Sequence, residues 1–301
     1  VNLQLALPGI RIQGSPLNLT LTGGIGWLSK MPTMSMLYPD IVYQDFVEFK
    51  HNNAKPEYSY SQLRTYIEDR VNYNLSYTRN KKKELRVDAE WKGHLFSVTL
   101  FDELLTNGFR SMDEPKAYYY QYYGMLNVPT YGQRPDLTNM PYEERTVFRS
   151  VTRRTNGSQL SKQGMEFTFT TPRYPGIATR FTLNGAYFKN GYQNSLPMWF
   201  LGSSRNNPVV DGFIVFDNYV AYYPNWQEGF DRSRTSTSFT ADTYIKQHGL
   251  TLSLTAETYW KGKNDQYANN PEYPSYYLTT DNVLHPYTEA DKSHQYLQYL
   301  F

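Results

Sequence analysis

The chain has no cysteine, no apolar run long enough for a membrane-spanning helix and almost no charge imbalance, and each absence removes a class of protein. With Cys missing from all 301 residues, a disulfide scaffold, a thiolate metal site and a cysteine nucleophile are all excluded. No window approaches the roughly 20 consecutive apolar residues of a transmembrane helix, and mean hydropathy is −0.66, so a helical membrane protein is excluded. Thirty basic against 28 acidic residues leave a net charge of +2, which offers no concentrated basic face for a phosphate backbone and sets nucleic acid aside. The five histidines, His51, His94, His248, His285 and His294, include no i, i+2 or i, i+4 pair suited to zinc. The nucleophile-elbow, P-loop and dinucleotide fingerprints are missing. Asp113 with Glu114 and Glu143 with Glu144 read as solvated loop charges, and no stretch spaces acids as a calcium loop does. We therefore expect no catalytic residue, no metal and no cofactor.

What the chain does have is 29 Tyr, 16 Phe and a strict two-residue period. Leu250, Leu252, Leu254, Ala256, Thr258 and Trp260 alternate with Thr251, Ser253, Thr255, Glu257 and Tyr259. Leu17, Leu19 and Leu21 alternate with Asn18, Thr20 and Thr22, and Leu85, Val87, Ala89 and Trp91 with Arg86, Asp88 and Glu90. Phe167 and Phe169 alternate with Glu166, Thr168 and Thr170, and Phe181 and Leu183 with Arg180, Thr182 and Asn184. Such runs are strands with one apolar and one polar face. One carboxylate, Asp102, falls in phase with the apolar Phe96, Val98 and Leu100; a bulge or the end of the apolar zone would explain it, and Asp102 is expected high in its strand. Short turns are expected near residues 8–16, 92–94, 172–176 and 247–249. Long loops are expected over 29–81, 108–162, 190–230 and from 261 onward. Tight turns at one end and elaborate loops at the other are the pattern of an outer-membrane barrel, whose strands need only about 9–11 residues to span. Trp27, Trp91, Tyr187, Tyr259 and Trp260 fall where aromatic girdles would lie. A soluble all-β binding or adhesion module produces the same alternation and stays open, as does, more weakly, a secreted β-rich hydrolase.

Several short strings sharpen the barrel reading. Lys30, Pro32 and Thr33 are followed by Leu37, Tyr38 and Pro39, then Tyr43 and Asp45; Asn107, Gly108 and Phe109 form N-G-F; Gly164, Glu166 and Phe167 form G-x-E-F; and residues 184–188 read N-G-A-Y-F. In this order and spacing they resemble the barrel of TonB-dependent outer-membrane receptors, in the branch that often carries an N-terminal carboxypeptidase-like regulatory domain. The resemblance implies an antiparallel meander within a transmembrane β-barrel of about 22 strands, closed by a plug and energised through a TonB box. It implies residence in the outer membrane of a Gram-negative bacterium, with outer-membrane lipids, the TonB complex and a surface lipoprotein as partners. Residues 1–301 would then be a C-terminal part of the barrel, truncated at both ends, with plug and box outside it. Residues 1–13 lack the charged start and apolar run of a signal peptide, so the natural N-terminus of an exported protein is expected upstream. Leu297, Tyr299 and Phe301 alternate as a barrel's last strand does, after a stretch too polar to complete one.

On this reading the function is ligand capture and energised import of a glycan, peptide or metal chelate. Candidate ligand contacts are the loop aromatics Tyr118, Tyr119, Tyr120, Tyr122, Tyr123, Trp199, Phe200 and Trp226, which could equally pack the loops together. Candidate lumen-facing residues are Arg86, Asp88, Glu90, Glu166, Arg180 and Glu257. Arg153, Arg154 and the 81–83 lysines could attract an anion, against a default of solvated strand edges.

Overall fold

A computed structural model describes residues 1–124, 136–202, 207–268 and 270–300. In chain order the strands are β1 (Asn2–Ile12), β2 (Ser15–Lys30), β3 (Val42–His51), β4 (Tyr60–Glu68), β5 (Thr78–Trp91), β6 (His94–Tyr122), β7 (Glu143–Thr170) and β8 (Thr179–Asn194). They continue with β9 (Met198–Phe200), β10 (Val209–Val210), β11 (Phe213–Ile214), β12 (Tyr219–Tyr223), β13 (Glu228–Ile245), β14 (Leu250–Ala268), β15 (Tyr276–Thr279) and β16 (Leu284–Pro286). Eight of them form one antiparallel sheet in the order β1-β2-β5-β6-β7-β8-β13-β14, open among the described residues, with β1 and β14 as edges. A four-stranded sheet, β16-β15-β12-β9, and the pairs β3-β4 and β10-β11 complete the all-β fold.

The hairpins follow from local chemistry. Gln13 and Gly14 (φ 50° and 74°) and Lys92 and Gly93 (φ 46° and 78°) are two-residue turns with both φ angles positive. That conformation matches the right-handed strand twist and favours glycine at its second position. The first turn is thus tighter than residues 8–16: β1 continues past a register irregularity between Leu7 and Ile10, and the chain reverses at Gln13.

Over its central rows the register carries the alternation across all eight strands without a slip. Leu7, Leu19, Ala89, Phe96, Phe169, Leu183, Phe239 and Ala256 form one cross-strand row. One residue along each strand, Ala6, Thr20, Asp88, Ser97, Thr168, Asn184, Ser238 and Glu257 form the next. Side chains in neighbouring rows point to opposite sides, so the sheet has one apolar and one polar face. The apolar face ends at the row of Lys83, Asp102, Gln163 and Lys189, where Lys83 Nζ lies 3.8 Å from Asp102 Oδ2 and Gln163 Nε2 donates to Asp102 Oδ1 at 3.1 Å.

The stretches expected as loops are largely folded. Strands β6 and β7, 29 and 28 residues long, run through most of 108–162. At about 3.3 Å per residue that is roughly 95 Å of strand, several times the depth of the apolar rows. The chain passes Gly108 through a bulge: Asn156 Nδ2 donates to Asn107 O at 2.9 Å, and a Cβ on Gly108 would lie 2.1 Å from Ser158 Oγ. Beyond it, β3 and β4 pack on one face of the β6-β7 ribbon through Phe46, Tyr66 and Tyr118. The four-stranded sheet packs against the ribbon in a cluster of Ala117, Phe148, Val220 and Leu278. A second cluster, centred on Val215, Phe216, Ala221, Tyr223, Leu297 and Leu300, gives this distal region its own core. Leu297–Tyr299 is a 3-10 turn rather than the end of a strand, and Phe301 lies outside the described residues.

Because β5 ends at Thr78, paired near Thr106, the distal edge of β6 has no neighbouring strand, and unpaired edge groups are costly when buried. Side chains, with one backbone carbonyl, take the place of a strand. Asn282 receives Ala117 N–H at 2.7 Å and donates to Ala117 O at 3.1 Å, and Tyr66 Oη donates to Tyr119 O at 2.6 Å. Gln121 N–H donates to Glu48 Oε1 at 3.1 Å and Tyr123 N–H to Glu48 O at 3.0 Å. Glu48 is 2% exposed. Burial pushes its carboxyl up, but hydrogen bonds from Gln62, the Gln121 amide and Arg64 outweigh that and hold it below the ordinary glutamate range.

Glu48→Ala should raise exchange of the Gln121 amide about 30-fold, equivalent to about 2 kcal/mol of local stability, with a smaller rise at the Tyr123 amide, whose acceptor is the Glu48 backbone carbonyl, read by hydrogen-exchange mass spectrometry. Unchanged protection would mean that the edge is held by other groups. A depressed carboxyl stabilises fully above its unfolded value, about 4.3, and loses that contribution as pH falls through the lower folded value. Acid loosening of this edge should accordingly be weaker in Glu48→Gln.

Candidate functional site

Two surfaces bear on function: the polar face of the large sheet and the aromatic distal region. Register places all six lumen-facing candidates on the polar face. Asp88 and Glu257 share one row, Arg86 and Glu166 the adjacent one, Glu90 lies in the row of Asn18 and Thr170, and Arg180 pairs with Asp242. A shallow cavity of about 550 Å³ opens here, lined among others by Asn18, Arg86, Asp88, Glu90 and Glu166; a second, of about 540 Å³, is lined by Glu166, Asn184, Ser238 and Glu257.

The polar side chains are tied together in the plane of the sheet. Arg86 Nη2 donates to Asp88 Oδ1 at 2.8 Å, with Nε 2.9 Å from both carboxylate oxygens. Thr168 Oγ1 donates to Asn184 Oδ1 at 2.9 Å, and Asn184 Nδ2 donates to Ser238 Oγ at 3.3 Å. Arg180 Nη2 is 3.8 Å from Asp242 Oδ2. Glu90, Glu166 and Glu257 have no ion pair within 4.0 Å among the described residues. Hydroxyls, carboxamides and unpaired carboxylates in such a layer hydrogen-bond hydrated or polar partners. Among the described residues, no three His, Asp or Glu side chains converge as metal ligands.

The opposite face is exposed and apolar. Leu250, Leu252 and Leu254 on β14 are 59%, 63% and 72% exposed, and Leu3, Leu5, Phe96, Leu100 and Phe239 are also exposed. Trp260 lies toward the distal end of this surface, where its Nε1 donates to Thr237 Oγ1 at 2.8 Å, and Trp27, paired with Lys81, lies just past the row of Lys83; Trp91 lies at the turn end with the Lys92 ammonium 4.7 Å from its ring centroid. Tyr259 departs from the girdle expectation. In unbroken register with Thr255 and Glu257, Tyr259 pairs with Ser236 in a row of the polar face, and the bulge at Trp260 falls beyond it.

The eight aromatic candidates separate into packing and partly accessible groups. Tyr118 is fully enclosed, its centroid 5.5 Å from Phe46 and 5.0 Å from Tyr66, and burial with neighbouring Glu68 pushes its hydroxyl well above the usual range. Tyr123 is buried beside Tyr142. These two hold the distal region together and do not present a face to a ligand. Trp199 stacks on Tyr222 at 4.0 Å, Phe200 meets Phe216 edge-on at 5.1 Å, and Trp226 meets Tyr223 at 5.5 Å, all partly buried at the cores. Tyr223, buried among them, has its hydroxyl pushed up to about 12. Tyr119, 48% exposed, donates to Thr280 O; Tyr120 stacks on Phe46 at 5.3 Å; and Tyr122 carries the Arg145 guanidinium 3.6 Å from its centroid. Two exposed rings were not among the candidates: Tyr73, which no period or motif marks, and Tyr38, which entered only as part of the string Leu37, Tyr38 and Pro39. No family model, curated protein or solved structure matches this chain.

Tyr118→Ala should cost about 3 kcal/mol and speed proteolysis of the distal region, whereas Tyr118→Phe, which keeps the stack, should stay within about 1 kcal/mol of the parent. Glu166→Gln, on the open polar face, should stay within about 0.5 kcal/mol. Urea unfolding followed by fluorescence reads all three; equal losses for Tyr118→Ala and Glu166→Gln would contradict these assignments.

Proposed function

We propose that this chain is a sector of the barrel wall of a TonB-dependent outer-membrane receptor, in which the apolar face meets lipid and the polar face lines the lumen. The observation that carries the reading is the pair of adjacent eight-strand rows, one wholly apolar and the next almost wholly polar. A sheet of this kind exposes too much contiguous apolar surface to rest in water unaccompanied. Its edges, β1 and β14, leave backbone groups that further strands would pair in a closed barrel of about 22 strands. The two-residue turns would face the periplasm, and the distal assembly, with the long β6-β7 ribbon, would stand outside the cell.

In this setting the partners are outer-membrane lipids, a TonB energy-transducing complex acting through segments outside this chain, and a surface lipoprotein over the distal assembly. The lumen layer would hydrogen-bond a plug or a passing solute, and the distal region would capture a glycan, peptide or metal chelate. Binding and passage, with no bond chemistry, is the function.

The lack of cysteine in these 301 residues makes the topology of this segment directly testable. Tyr73→Cys in the distal region should react with a membrane-impermeant maleimide on intact cells, whereas His248→Cys in the last tight turn should react only after the outer membrane is permeabilised. Equal labelling of both sites before permeabilisation, or recovery of the protein in the soluble fraction, would overturn the placement.

A further inference from the structure

Beyond the sheet faces, one recess in the distal region has the chemistry of an anion site. It lies between the single helical turn Met34–Leu37 with the residues after it, the end of β4, and the β6-β7 ribbon above the bulge; its volume is about 430 Å³. Three guanidiniums line it, those of Arg70, Arg153 and Arg154, and among the described residues Asp40 is the only acid in the lining. Arg70 Nε donates to the Asp40 carbonyl at 2.9 Å, and Arg154 Nη1 donates to Ser111 Oγ at 2.7 Å while the Asn72 carboxamide holds the Arg154 carbonyl at 2.9 Å. Both are thus fixed by neutral acceptors, and neither has an acid within 4.0 Å among the described residues.

Arg153 is anchored by the Asp69 carbonyl at 3.1 Å and Glu114 at 3.2 Å, yet its Nε is buried with no acceptor among the described residues. A buried guanidinium donor without an acceptor is costly and calls for an explanation. Elsewhere some arginines pair with acids, as Arg64 with Glu48, Arg86 with Asp88 and Arg145 with Glu143, and others, such as Arg79, Arg173 and Arg232, are held by neutral acceptors; what sets Arg70, Arg153 and Arg154 apart is that all three line one recess. The recess is a local excess of oriented positive charge, with Arg70 and Arg154 free of acid partners among the described residues, in a chain whose formal net charge is only +2.

We infer that this recess binds the phosphate group of a soluble phosphorylated ligand. Guanidinium forks match the oxygens of a tetrahedral dianion two at a time, and two guanidiniums without acid partners balance its charge. The volume exceeds what a bare phosphate fills, and Tyr38, 70% exposed and part of the lining, offers a ring against which a sugar-sized remainder can lie. Ser111 is nine residues along β6 from Asp102, about 30 Å of strand past the end of the apolar face. If that face meets lipid as proposed, a bilayer headgroup is out of reach; the charge argument itself does not depend on membrane placement.

The test uses the complete polypeptide that carries this chain, purified in detergent, with glucose 6-phosphate and glucose as paired probes in equilibrium dialysis. Glucose 6-phosphate should bind at least 10-fold tighter than glucose, weaken as sodium chloride rises from about 50 to 500 mM, and be displaced by inorganic phosphate. Arg154→Ala and Arg70→Ala should each reduce that affinity at least 10-fold, Arg154→Lys should recover part of it, and Lys261→Ala on β14 should leave it unchanged. Arg154→Lys also serves as the readout should either alanine variant fold poorly by circular dichroism. Equal binding of the two probes, or phosphate binding that survives both arginine variants, would overturn the inference. So would capture of phosphatidic-acid vesicles without affinity for soluble phosphate. None of these outcomes bears on which face of the sheet meets lipid.

Discussion

Everything in this molecule depends on cross-strand register. With a side-chain period of two, a one-residue slip in any strand would carry that strand's leucines and phenylalanines to the polar side and its charges to the apolar side. The seven pairings of the large sheet hold one alignment over the central rows, and irregularities fall outside them: near Pro8 on β1, near Gly108 on β6 and at Trp260 on β14. Positive-φ turns at Gln13 with Gly14 and at Lys92 with Gly93 pin two of the hairpins, and matched rows of Thr, Ser and Asn hydrogen-bond across the polar side. Glycine opposite an aromatic ring adds to the fit. Phe167 lies over Gly185 so closely that a Cβ there would come within 2.1 Å of the ring.

The distal region meets a different constraint, since the β6-β7 ribbon outruns the strands beside it. A two-stranded ribbon alone is marginal in water, and this one is stabilised by covering both faces and capping one edge. The β3-β4 hairpin supplies Phe46, Tyr66 and Glu48, and the segment after β15 supplies Asn282. Stacked tyrosines here do structural work of the kind that apolar aliphatics do in an ordinary core.

That difference explains what could be read from the sequence. The eight large-sheet strands, the four reversals and the polar-face residues were legible because each strand has one wet and one dry side, and the resulting period survives in runs such as 250–260. Residues 109–122 and 143–160 are strand as well, but residues on both of their faces, such as Ala117 and Tyr118, are buried against other elements, so the alternation dissolves into runs such as 118–120 and reads as loop. The burial of Tyr118 and Tyr123 was illegible for the same reason: their partners Phe46, Tyr66 and Tyr142 come from segments brought together only by the fold. The recess around Arg70 and Arg154 joins residues more than 80 positions apart, and only Arg153 and Arg154 stood out as a pair beforehand.

The most direct measurement is a nitroxide scan of β14, one label at each position from 250 to 260, in the complete protein reconstituted into bilayers. Collision with oxygen and with a water-soluble nickel chelate would be read at every site. The account predicts oscillation with a period of two: oxygen dominant at 250, 252, 254 and 256, nickel dominant at 251, 253, 255 and 257. Uniform nickel accessibility, or low accessibility to both reagents at the leucines, would contradict a lipid-facing surface and place that face against protein.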